Sequence, residues 1–145
     1  MDPDRLSDAI HERFDAKTAA REKALPAARR SIRASANAIR AVHRGEFGTA
    51  RSLIQDSRAA LDEGTDGVTS HPDVRFAGYL LDAEKEYAEA NLTYALVSGE
   101  ELPAPDALGV GDAPYLNGMA ETIGVLPPAM GRFPAIVKFG TTTNQ

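Results

Sequence analysis

Hydrophobic positions at the start of the chain recur with helical spacing. Leu6, Ile10 and Phe14 stand four residues apart among charged and polar neighbours, and this pattern predicts an amphipathic helix. Asp2 and Pro3 precede the stripe and are expected to provide the helix cap and the first turn.

The same periodicity continues through the rest of the chain. It predicts a helix from about residue 49 to 62, a polar connection over residues 63–72, and one long helix from residue 73 to about 98. A last helix, capped by Asp112, is expected to bury the face formed by Leu116, Met119, Ala120, Ile123 and Leu126. Since no strand-like alternation occurs before residue 130 and the loops are short, we predict an all-α, antiparallel helical bundle.

A stretch from Ala28 to Arg44 combines an apolar side with a row of arginines. On a helical wheel four arginines share an arc of roughly 60°, and we call them the arginine surface: Arg29, Arg33, Arg40 and Arg44. The opposite side carries small and apolar residues: Ala28, Ile32, Ser35, Ala36 and Ile39. Because guanidinium groups present a fork of donors that suits phosphate oxygens, the pattern is typical of a nucleic-acid-binding helix. A solvated helix whose arginines pair with acids elsewhere in the fold is the alternative.

Two further residues define this predicted helix. Pro26 is expected either to kink one long helix or to begin the arginine helix anew, and Gly45 is expected to end it. His43 falls near the core side of the wheel, which favours a packed histidine over a general base.

Composition adds a charge asymmetry. The 145 residues fit a single domain with a net charge of −5. Residues 1–60 hold 12 Lys or Arg and 8 Asp or Glu, whereas residues 61–145 hold 4 and 13. A basic surface on an acidic protein is therefore expected. The chain has no cysteine, no basic leader at its start and no long apolar run, and we expect a cytoplasmic protein without a membrane partner.

The long predicted helix places its acids between two apolar stripes. Asp82, Glu86 and Glu89 share this arc with Thr93. Carboxylates hemmed by apolar surface repel one another unless a positive group intervenes. Glu86 and Glu89 can reach one hard cation such as Mg²⁺. Alternatively the acids pair with Arg75, with Lys85 or with the arginine helix.

Three segments resemble a known family: AREKALPAARRSIRASANAIRAVHRGEF, HPDVRFAGYLLDAEKEYAEANLTYALVSGEELP and PYLNGMAETIG. In this order and spacing, over about residues 15–124, they resemble the translin family, most closely its archaeal members. The resemblance implies an all-α fold, an octameric shell and binding of single-stranded RNA or DNA. In translin-associated factor X and similar archaeal proteins, acidic residues inside the shell bind Mg²⁺ and cleave RNA.

The resemblance also implies site residues. Glu86 and Glu89 match the two glutamates of the family motif E-Y-x-E-A, and Glu121 stands where the family has an aspartate. These three residues are thereby the implied Mg²⁺ ligands and catalytic residues. The fourth acid of the family falls on Val125, which cannot bind a metal.

The resemblance ends shortly after Gly124. Residues 1–126 are interpreted as an incomplete translin-like helical domain, and residues 127–145 as a tail unlike the family. Pro127 and Pro128 forbid the helix that the family would continue. We interpret the tail as out of register with the ancestral gene, which sequencing the locus for an intact alternative reading frame would test.

The sequence is compatible with three alternative functions. The first is a single-stranded nucleic-acid-binding protein that uses the arginine surface and forms homo-oligomers, octamers in the family, if the altered C-terminus permits. The alternatives are an Mg²⁺-dependent endoribonuclease and a helical assembly fragment with neither activity.

Overall fold

A computed structural model describes residues 2–125, and within them the all-α prediction is confirmed. The six helices are α1 (Pro3–His43), α2 (Phe47–Asp66), α3 (Pro72–Arg75), α4 (Gly78–Ser98), α5 (Pro105–Leu108) and α6 (Asp112–Val125). None of these helices is both long and apolar enough to cross a membrane. Leu126 and the predicted tail over residues 127–145 lie outside the described residues.

Helix α1 runs without interruption through Pro26. Glu22, whose carbonyl loses its helical partner there, and Pro26 are both exposed, so water can satisfy the carbonyl and the helix continues. The predicted cap is confirmed, because the Asp4 amide donates to Asp2 Oδ1 at 3.3 Å. The predicted end is confirmed too, with Gly45 at a φ of 75°. His43 is exposed rather than packed.

Helices α1 and α2 form an antiparallel hairpin that packs closely because small residues line its seam. Ser31, Ser35 and Ser57 are fully buried. The hydroxyl of Ser57 lies 2.7 Å from that of Ser35 and donates to the Ser31 carbonyl at 3.0 Å. A Cβ added at Gly64 would lie 3.3 Å from the Ala27 Cβ. This contact explains why α2 extends past its predicted end.

Helix α4 packs antiparallel to α2. Leu80, Tyr87 and Leu92 are buried between the helices, and the Arg58 guanidinium lies 5.3 Å above the Tyr87 ring. The single helix predicted from residue 73 to 98 is wrong, because the chain breaks into α3 and α4. Phe76 ends α3 and is 64% exposed.

The face of α6 that packs on α4 is shifted from the predicted one, although Met119 of the predicted face packs against the core. Tyr115, Gly118 and Thr122 are buried, whereas Leu116 is 60% exposed and Ala120 is exposed. A Cβ at Gly118 would lie 2.8 Å from the Lys85 carbonyl oxygen and 3.0 Å from the Glu89 amide. The absence of a side chain thus decides which face of α6 meets α4.

Candidate metal centre and nucleic-acid interface

The structure brings together the three glutamates implied by the resemblance. Glu86 and Glu89 come from α4 and Glu121 from α6, and one carboxylate oxygen of each lies within 4.8 Å of the others. We call them the glutamate cluster. The close approach of the two helices at Gly118 places Glu121, three residues later, next to α4. Asp82, the other acid of the predicted arc, is exposed and lies outside the cluster.

Glu89 is the most buried member of the cluster. It is 7% exposed, and burial, helped by the neighbouring carboxylates of Glu121 and Glu86, raises its pKa to about 8. At neutral pH Glu89 therefore mostly retains its proton. The pKa of Glu121 is lowered, because its carboxylate accepts hydrogen bonds from the Lys85 ammonium and from the Glu89 carboxyl group.

Lys85 supplies the positive charge of the cluster. Its Nζ lies 3.0 Å from Glu121 Oε1 and 3.5 Å from Glu86 Oε1. Glu121 is the main cause of the raised pKa of Lys85. Of the partners predicted for these acids, Lys85 is thus the one observed, and Arg75 pairs with the buried Glu84 at 3.1 Å instead.

The glutamate cluster has the donor chemistry of a hard-cation site. Carboxylate oxygens suit Mg²⁺, whose bonds of about 2.1 Å place opposite ligands roughly 4.2 Å apart. At most one pair among three ligands can be opposite, and the other pairs lie roughly 3 Å apart, so the carboxylates, which span up to 4.8 Å, must move closer together to hold the ion. Binding of the ion by all three carboxylates requires in addition that Glu89 lose its proton. Val125, which stands where the family has its fourth acid, ends α6.

The four residues of the arginine surface are all exposed on α1 or directly after it. Within residues 2–125, Arg29, Arg33 and Arg40 form no ion pair. Arg40 donates a hydrogen bond to Asn37 Oδ1 at 2.8 Å. The alternative, in which these arginines pair with the acids of α4, is therefore not observed among the described residues.

Other arginines nearby do have acidic partners. Arg44 lies 3.0 Å from Glu46 Oε1, and this contact raises the pKa of Arg44 and lowers that of Glu46. Arg30, on the same helix but outside the arginine surface, lies 2.6 Å from Glu63. Arg30 and Arg44 are thus paired with acids, whereas Arg29, Arg33 and Arg40 are open to an external anion.

Sequence reasoning missed how Lys85 and Gly118 act together at this site. The position of Lys85 beside Glu86 was visible, but its bond to Glu121 depends on the packing of α6. A glycine on the inner face of a helix was the signal for that close packing.

Comparison with protein-family models, with curated proteins and with solved structures finds no match for this chain. The resemblance to translins remains a prediction from the three segments.

Proposed function

We propose that this protein binds single-stranded nucleic acid, RNA foremost, through the arginine surface. The observation that carries the proposal is the row of exposed guanidinium groups at Arg29, Arg33 and Arg40, which have no ion pair among residues 2–125. From Arg29 to Arg44 the row spans about 22 Å at 1.5 Å per residue. Basic groups in such a row follow the backbone of a single strand.

The charge of the rest of the protein also favours binding at the arginine surface. With a net charge of −5, most of the molecule repels phosphate, so binding is confined to the basic stretch of α1. Arg44 is held by Glu46 and is expected to contribute less than Arg33.

The test compares two triple variants that lose the same charge. One replaces Arg29, Arg33 and Arg40 by alanine, and the control replaces three other exposed arginines: Arg5, Arg30 and Arg51. Fluorescence anisotropy with a labelled oligouridine of about 20 nucleotides measures the affinity. Loss of three phosphate contacts should weaken binding roughly 100-fold at about 0.1 M salt.

The control should lose far less affinity than the first variant. An equal loss in both would assign binding to net charge and contradict the arginine surface. No binding by the wild type at low salt would favour the helical assembly fragment with neither activity.

A second candidate function, Mg²⁺-dependent RNA cleavage, is favoured by the convergence of Glu86, Glu89 and Glu121 within 4.8 Å. A bound Mg²⁺ would polarise the phosphate and activate water. Glu86 and Glu121 would hold the ion as carboxylates, and Glu89 would join them after losing its proton. Lys85 would compete with the ion for the carboxylates of Glu86 and Glu121.

Cleavage of a single-stranded RNA in Mg²⁺ or in chelator tests this second function. The Glu86→Gln, Glu89→Gln double variant should abolish Mg²⁺-dependent cleavage, and Asp82→Asn, which removes an exposed acid of the same helix, should retain it. Isothermal titration with Mg²⁺ gives a readout that needs no activity. Cleavage that persists in the double variant would exclude the glutamate cluster as its source.

A further inference from the structure

The first half of α1 extends beyond the helical hairpin. Helix α2 ends at Asp66, where Gly67 lies beside the Lys23 side chain. Residues 3–19, which we call the arm, therefore project about 25 Å past the end of α2 at 1.5 Å per residue. Lys17 pairs with Asp73 at 2.7 Å near the base of the arm.

The arm exposes an apolar stripe. Leu6, Ile10 and Phe14 are 45%, 38% and 61% exposed, although their spacing is that of a buried helix face. They are three of the five large apolar side chains exposed within residues 2–125. An uncovered stripe of this kind marks an interaction surface.

The stripe of the arm is basic at its edge. Ile10, Phe14, Arg13 and Lys17 surround one shallow depression. On the helical wheel the acids of the arm lie on the opposite side: Asp4, Asp8, Glu12 and Asp15. Lys17 already pairs with Asp73, so Arg13 is the basic residue at this edge that has no ion pair among residues 2–125.

The outer face of α6 has the complementary character. Leu116 is 60% exposed, and the exposed Ala120 and the half-buried Ile123 continue the apolar stripe at i+4 and i+7. Asp112 lies one turn before Leu116 on the same side. Residues 99–125 hold five Asp or Glu and no Lys or Arg, but Glu100 and Glu121 pair with Arg51 and Lys85. Asp112, exposed on the same side as Leu116, is therefore the acid beside this apolar stripe.

We propose that the arm of one copy of this chain docks onto the outer face of α6 in a second copy, head to tail. Apolar stripes cover each other in this contact, and Arg13 meets an acidic surface. Two arms packed on each other would bring the basic residues of both copies to one seam, and two α6 faces would do the same with acids. Such a heterologous contact leaves one arm and one α6 face free and builds rings or chains.

The test uses the whole chain in solution without RNA, so its outcome is independent of nucleic-acid binding. Light scattering after size exclusion should give a mass well above the 15.5 kDa of one chain. Phe14→Asp and Leu116→Asp should each yield monomers. Phe76→Asp, at a residue that is 64% exposed and lies on neither surface, should stay assembled.

Mixing the two monomeric variants tests the head-to-tail order. Leu116→Asp retains an intact arm and Phe14→Asp an intact α6 face, so together they form one contact. The mixture should give a 1:1 dimer of about 31 kDa, twice the chain mass. It cannot grow further, because the remaining arm and face are both altered.

Several outcomes would overturn the proposal. They are a monomeric wild type at about 100 μM, an assembled Phe14→Asp, and a mixture that stays monomeric. A Leu116→Asp variant with wild-type mass would assign the contact to two arms or show α6 covered by its own chain. Circular dichroism measures the helix content of each variant. If the aspartate variants lose helix content, the single variants Phe14→Ser and Leu116→Ser replace them in the same test.

Discussion

Replacing Glu89 by glutamine should stabilise the protein at neutral and alkaline pH. The pKa of Glu89 is raised from its usual 4.5 to about 8, chiefly by burial. The folded protein therefore holds a proton that the unfolded chain gives up above pH 4.5. Stability contributed by this group is complete below pH 4.5 and is lost as the pH rises through 8.

The size of the effect follows from the two pKa values. The raised pKa of Glu89 lowers the free energy of unfolding by at most about 3 kcal/mol at pH 7. Well above pH 8 the loss is at most about 5 kcal/mol. Glutamine keeps the shape and a hydrogen-bond donor towards Glu121 but never ionises. The gain of Glu89→Gln over wild type should thus be near zero at about pH 4.5 and grow steadily to about pH 8.5.

Urea denaturation in the presence of chelator, at pH steps between these limits, measures the difference in the free energy of unfolding. Asp82→Asn removes an exposed acid from the same helix and is the matched control, in which the wild-type pH dependence should persist. A Glu89→Gln variant that is equally stable or less stable than wild type at about pH 8.5 would refute the reasoning. Lys85 would then neutralise an ionised Glu89.

Two further predictions concern the packing of the helices. Gly118→Ala should destabilise the fold by about 1–3 kcal/mol in thermal or urea unfolding, because its Cβ would lie 2.8 Å from the Lys85 carbonyl oxygen. Gly124→Ala, with nothing within 4 Å of its Cβ, is its control, and an equal effect would contradict the close approach. Ser57→Ala should cost about 1–3 kcal/mol, since it removes the hydroxyl that pairs with the buried Ser35 hydroxyl. Ser52 is exposed, and Ser52→Ala should cost far less. A Ser57→Ala variant as stable as wild type would exclude a stabilising role for the hydrogen bonds among Ser31, Ser35 and Ser57.

The sequence predicted best what depends on local periodicity. The arginine surface is exposed, and the seam around Ser35 is buried opposite it. Both follow from one helical wheel. The two glutamates of α4 share one face for the same reason.

What the sequence did not predict depends on contacts between helices. Hydrophobicity favoured Leu116 as the buried side of α6, but a glycine that allows close backbone approach outweighed it at Gly118. Periodicity identified the stripe around Ile10, yet it carries no information on whether anything in the same chain covers that stripe. The partner choice of Lys85 likewise required the position of Glu121, which lies 36 residues away in the chain.

The salt dependence of RNA binding shows whether the arginine surface contacts phosphates. A plot of the logarithm of the association constant against that of the salt concentration should fall linearly for the wild type. In the variant with Arg29, Arg33 and Arg40 replaced by alanine the slope should be shallower by about 2, since each lost phosphate contact removes about 0.7. An unchanged slope in this variant would show that the arginine surface does not contact the phosphates.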